Sequence, residues 1–236
     1  MASINTNYGA MVAAQSLAAT GRELANVQNR VTTGMKVSSA KDNGAVWAIA
    51  TTQKANAKAL DATINNLQRS QSINDVGLAA GETIMAALTE MKALGTAIEA
   101  ATAAGSSTTA YVADFTALSG EITAAIAAAN FDGVAAFGAS PPAVPAAQTA
   151  AGVQTSIDAW ASALQGLGTT SKSLERQITF NTKLQDALEA GAGNLVDADL
   201  AKESARLTAL QTKQQLGVQA LAIANSSSSI LLGLFR

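Results

Sequence analysis

Apolar heptads at both ends of the chain restrict its fold more than any other feature. Leu17, Leu24 and Val31 stand seven residues apart, and Val27 follows Leu24 by three. Toward the other end Leu200, Leu207, Leu221 and Phe235 fall on one heptad row, with Leu210, Ala224 and Leu231 on the row three residues along. A repeat of this kind draws an apolar seam down a helix, and the seam needs a second helix against it. Chain ends are usually the least ordered part of a soluble domain. Long apolar helices at both ends therefore read as elements of assembly, with almost the whole chain between them.

Composition agrees with helices. Close to a quarter of the residues are alanine, aromatic residues make up 4%, and the three prolines all lie between Pro141 and Pro145. Alanine is the strongest helix former, and the β-branched and aromatic runs of a sheet protein are missing. The expected class is mainly all-α: a long antiparallel helical rod or coiled-coil bundle with a short β-hairpin. Alanine-lined helices approach closely but bury little area each, so lateral contacts with neighbours should add to a marginal monomer stability. A net charge of −2 leaves no basic footprint for nucleic acid. The absence of cysteine fits an oxidising or extracellular site. No charge precedes Arg22, so no signal peptide with a basic n-region is expected. No stretch reaches the ~18 apolar residues of a membrane span.

Periodicity and breakers place the elements. A first helix runs from about Ile4 to Thr33, with Gly34 as its C′ residue. Ser39 with Asp42 has the form of a capping box opening a second helix, which continues through Trp47, Leu60, Leu67, Ile84, Leu88 and Leu94. Gly77 and Gly81 weaken it, which close packing would explain. Gly105 to Thr109 reads as a turn, and Ala110 to Ala129 as a third helix. Asp132-Gly133 is a hairpin dipeptide, followed by an irregular loop to Pro145. A fourth helix is expected from about Ala147 to Ala190, locally disturbed at Gly166 and Gly168 and broken by Gly191-Ala192-Gly193-Asn194. Asp197 or Asp199 then caps the terminal helix.

Little here suggests catalysis. Without His or Cys, metal sites would need all-oxygen ligands, and the usual nucleophile–base pairs are gone. Asp197 and Asp199 are two apart and do not face each other on a helix. Gly191-Ala192-Gly193 lacks the third glycine and the preceding strand of a dinucleotide fingerprint. Lys202, Glu203 and Arg206 are suited to pairing along one helix face. Trp47 and Trp160 read as anchors of a rod core. No enzyme, cofactor or metal is expected. Ser106, Ser107, Thr108 and Thr109 form a hydroxyl-rich turn, with Ser140 in the later loop.

Several segments go further than pattern. Arg30 through Ala45, with Ser39-Ala40-Lys41-Asp42-Asn43-Gly44 at its centre, closely resembles the N-terminal signature of bacterial flagellins. Leu67-Gln68-Arg69-Ser70-Gln71-Ser72, the turn Asn130-Phe131-Asp132-Gly133-Val134, and the run from Asn194 to the closing Leu234-Phe235-Arg236 are similar to the same family. The wording, from Gly191 to Ser204 especially, is similar to that of short alphaproteobacterial members. The resemblance implies an inner coiled-coil domain (D0) from residues 1–42 and 194–236, and a rod domain (D1) from 43–193 with its hairpin and loop at about 131–147. Where larger members insert outer domains only about Phe131 to Ala147 is available here, so no D2 or D3 is expected. Its implied function is a secreted filament subunit for swimming motility. Its implied partners are further copies and sister flagellins, the flagellar type III export apparatus with an export chaperone, and the filament cap and hook-junction proteins. O-glycosylation at Ser106, Ser107, Thr108, Thr109 or Ser140 follows from the same likeness. So does the expectation that Leu88 to Leu94, with an acid where receptor-activating members carry a central arginine, stimulates the innate receptor poorly. A hook–filament junction protein and a helical signalling module are the alternatives.

Overall fold

A computed structural model describes residues 7–234, with side chains for residues 7–226. Its elements are α1 (Tyr8–Thr33), α2 (Gly44–Ala103), α3 (Thr109–Ala128), β1 (Asn130–Phe131), β2 (Val134–Ala135), α4 (Ala150–Val196) and α5 (Leu200–Leu234). The class is mainly all-α with one small antiparallel hairpin, as the composition predicts. The chain divides into two compact units. One spans Lys58–Gln185; the other combines the residues up to Ala57 with those from Asp186.

In the first unit one buried row of α2 runs Gly77, Gly81, Ile84, Leu88, Met91, Gly95 and Ile98, alternating four and three apart. On α4 the facing row is Val153, Ile157, Trp160, Leu164, Leu167, Ser171 and Leu174, with the same alternation. Two such rows make a coiled-coil seam, and α3 covers it with Phe115 and Ile122. Trp160 is fully buried in this core, with Phe137 edge-on to its ring at 5.0 Å. Glycine serves here as the residue without a Cβ. A side chain at Gly81 would overlap Leu164, and one at Gly95 would lie 2.8 Å from the backbone nitrogen of Ala150. The hairpin turns through Asp132 and Gly133, both at positive φ (53° and 75°), the geometry that two-residue hairpin loops favour. Arg69 ties Asp132 to α2 at 2.6 Å.

In the second unit Gly34 ends α1 in the left-handed region, at φ 70°. The link that follows is clasped to the end of α4. Lys36 and Val37 donate their N–H groups to the Val196 carbonyl, and Ala198 donates to that of Gly34. Val37, Ala50, Ala192 and Val196 form a small core beneath this clasp.

Several expectations change. Ser39 does not cap α2. Asn43 does, its Oδ1 accepting from the Val46 N–H at 3.2 Å. The Asp42 carboxylate instead accepts from the N–H groups and hydroxyls of Ser38 and Ser39. These bonds, the Ser38 hydroxyl foremost, hold its pKa below the usual aspartate value. The α4 helix is continuous through Gly166, Gly168 and the Gly191–Asn194 stretch. At the latter, burial of Ala192 and Val196 against Val37 and Ala50 outweighs two weak helix formers. Trp47 is 39% exposed, on the rim of a shallow hollow with Lys54, and anchors no core. Asp199, not Asp197, caps α5 by accepting from the Lys202 N–H.

Candidate assembly interface

The residues singled out at the two chain ends meet in one place. Helices α1 and α5 pack antiparallel: Asn7 Nδ2 donates to the Ala224 carbonyl at 2.7 Å, Leu17 lies against Gly217, and Arg30 reaches Glu203 at 3.3 Å. On α1 the covered positions are Ala10, Ala13, Leu17, Thr20, Leu24, Val27 and Val31. On α5 they are Glu203, Leu207, Leu210, Gln214, Gly217, Leu221 and Ala224. Both series alternate three and four residues, the spacing that keeps one stripe of each helix turned to its partner.

Leu17, Leu24, Val27, Val31, Leu207, Leu210 and Leu221 therefore lie in this seam. Leu200 does not. It is the first residue of α5 and is 49% exposed. The side chains of Leu231 and Phe235 lie outside the described residues. The apolar rows alone miss Thr20, Glu203, Gln214 and Gly217. Successive steps of three and four residues, forward from Leu17 and in both directions from Leu207, reach each of them, but their polarity or lack of a side chain hides the register.

Two of these polar positions explain themselves. The Thr20 hydroxyl donates to the Ser16 carbonyl one turn back and so brings no open demand into the seam. Glu203 is buried with Oε1 paired to Arg30 and Oε2 without a hydrogen-bond partner among the described residues. A carboxylate in that position makes the Arg30 contact costly to lose. Arg206 likewise reaches across to Glu23, at 3.8 Å. Glu203 and Arg206 thus pair across the seam, and among the described residues no ion pair joins them or Lys202 along their own helix. An antiparallel partner offers opposite charges at closer range.

At the start of α1, Asn7 caps the helix by accepting from the Ala10 N–H while its amide holds α5. The outward faces of both helices keep large apolar side chains in solvent: Tyr8, Met11 and Val12 on α1, and Leu216, Val218 and Ile223 on α5. Two helices cover only one stripe each, and rows like these are what a further partner would bury.

Of the hydroxyl positions, Ser106, Ser107, Thr109 and Ser140 are exposed and Thr108 is half-buried at the entrance to α3. Within Leu88 to Leu94, Leu88 and Met91 are fully buried in the core. Among the described residues no three acidic side chains cluster to hold a metal ion, and no helix is long and apolar enough to cross a membrane.

Comparison with known proteins meets this geometry from outside. The model of the bacterial flagellin N-terminal helical region matches residues 4–140, and that of the C-terminal helical region matches residues 150–235. Flagellin FljO of Caulobacter vibrioides is 46% identical, over 99% of this chain and 98% of its own length. A flagellin of Brucella melitensis biotype 1 is 34% identical over the full length of both chains. Flagellin A of Rhizobium meliloti is 51% identical over 36% of this chain and 22% of its own. Neither the junction protein nor the signalling module is favoured by such full-length matches. With helical ends paired in a heptad seam and flagellin sequence along its whole length, the chain belongs to the bacterial flagellins, the structural subunits of the extracellular flagellar filament.

Proposed function

We propose that this flagellin polymerises through the outward faces of its α1/α5 pair, and that the seam described above is the part of each subunit nearest the filament axis. The observation that carries this is the exposure of Tyr8, Met11, Leu216 and Ile223 beside a seam that is already closed. Each such side chain is worth ~1.5–3 kcal/mol when fully buried, so repetition along a polymer supplies much of the driving force. In this reading residues 1–42 and 194–236 form the inner domain and residues 43–193 the rod domain, with no outer domain. The rod core around Trp160 is a scaffold, and no residue acts catalytically.

The same reading assigns the chain's dealings before assembly to the flagellar export apparatus, an export chaperone, the filament cap and the hook-junction proteins. Partly unsatisfied terminal helices suit a chain whose final ordering is coupled to binding. Exposed Ser106, Ser107, Thr109 and Ser140 are open to O-glycosylation. Intact-mass measurement of native filaments decides this: the unmodified mass alone dismisses the glycan.

The assembly reading is tested by seeded elongation. Heat- or acid-dissociated subunits should regrow on wild-type seeds, and a Leu216→Ser/Ile223→Ser variant with unchanged helix content should not. Normal elongation by that variant would remove the outward faces from the interface.

A further inference from the structure

The unit spanning Lys58–Gln185 carries two unlike patches that complement each other. Between α2 and α3 lies an open groove of about 540 Å³, lined by Ala93, Leu94, Ala117 and Leu118 together with Glu90 and Asp114. Neither carboxylate has an ion-pair partner among the described residues. The neighbouring cation on α2, Lys92, is turned to Gln154 instead. An apolar lining beside two unpaired acids suits an apolar side chain flanked by cations.

Helix α4 presents such a group. Lys172, Arg176, Phe180 and Lys183 recur four, four and three residues apart, on the side away from the covered row of Leu174 and Ile178. Phe180 is 64% exposed. None of the three cations has an ion pair among the described residues, and Glu175 lines the same hollow as Lys172 and Arg176. Phe180 cannot fill the groove of its own chain. Gln185 meets Asp61, and Leu167 lies against Gly77. Phe180 is therefore level with α2 somewhere between those two residues, at least ~20 Å along the helix from Glu90 at ~1.5 Å per residue.

We propose that the α2/α3 groove of one copy receives Phe180 of a second copy, with Glu90 and Asp114 opposing Lys172, Arg176 and Lys183. This rests on the filament reading and adds to it a charge-steered contact between rods. Because groove and stripe are different surfaces, the contact is heterologous, the kind that propagates from copy to copy.

Charge exchange tests it on the full chain. Glu90→Lys/Asp114→Lys and Lys172→Glu/Arg176→Glu variants, each checked for wild-type helix content and melting temperature, are grown on wild-type seeds at low salt. Each alone should elongate at least ~tenfold more slowly than wild type, since complementary charge chiefly sets the association rate. An equimolar mixture of the two should recover most of that loss, because each supplies the partner the other lacks. Phe180→Ala should slow elongation with less salt dependence. Wild-type rates for both charge variants, or no recovery in the mixture, would overturn the groove contact while leaving the filament reading intact. Failure of the wild-type chain itself to elongate would instead sink that reading.

Discussion

The two units are built on the same heptad arithmetic and differ in what fills it. Around Trp160 the rows of α2, α3 and α4 enclose a continuous core of Ile84, Leu88, Met91, Phe115, Ile122 and Val153. Between α1 and α5 the corresponding positions hold Thr20, Gln214, Gly217 and a buried Glu203, and the faces beside them leave Tyr8, Met11, Leu216 and Ile223 exposed. The first arrangement is complete in one chain. The second has its register but leaves large apolar side chains exposed on its outward faces. A filament subunit needs both kinds of stability: a scaffold that persists alone, and a pair of helices that gains its remaining stability only among neighbours.

Substitutions at matched positions put this contrast at risk. The largest effect belongs to Trp160→Ala, which empties the centre of the three-helix core and should cost ~3–5 kcal/mol in denaturant unfolding of the monomer. A cost under 1 kcal/mol would mean that the unit is no better filled than the terminal pair. Glycines give a sharper, two-signed test. Gly95→Ala should destabilise by ~1–3 kcal/mol because the new methyl meets the backbone at Ala150, which has no rotamer to change. Gly120→Ala, where nothing lies within 4 Å, should stabilise α3 by up to ~1 kcal/mol through helix propensity. The same sign at both positions would refute the close-approach explanation.

Ion pairs extend the comparison to the terminal helices. Arg30→Ala leaves Glu203 buried without its partner and should weaken the α1/α5 pair by ~1–3 kcal/mol. Arg69→Ala, at a pair that is half-exposed or more on both sides, should cost less than ~1 kcal/mol. Equal losses would mean that the seam does not desolvate Glu203. Asp42 gives the smallest effect. Its pKa is lowered in the folded chain, so the stability it contributes is present above the unfolded aspartate pKa and is lost as pH falls through the folded value. An NMR titration should find its midpoint below that of free aspartate in wild type, and moved part of the way back toward the ordinary value once Ser38 and Ser39 are alanine, because the two backbone N–H bonds remain.

The sequence was most legible where a seam position is apolar. Leu17, Leu24, Val27, Val31, Leu207, Leu210 and Leu221 announce the pairing, and Asp132-Gly133 announces its turn. Thr20, Glu203 and Gln214 do not, because a polar residue at a heptad position looks like an interruption until its partner across the seam is seen. Gly191 to Asn194 reads as a break because helix propensity is local, whereas the burial that carries α4 through it is supplied by Val37 and Ala50, more than 140 residues earlier. Trp47 shows the reverse error. Size and hydrophobicity suggest a core residue, but helix phase turns it toward solvent. The groove and the basic stripe were invisible as a pair, since nothing in one dimension relates Glu90 to Phe180.

Amide hydrogen exchange, followed residue by residue in the dissociated monomer and in the assembled filament, tests the division of labour most directly. Amides of α2, α3 and α4 between Lys58 and Gln185 should be protected in both states. Those of α1 and α5 should exchange quickly in the monomer and become protected by orders of magnitude on assembly. Equal protection of α1 and α5 in monomer and filament would contradict the claim that these helices complete their burial only among neighbouring subunits.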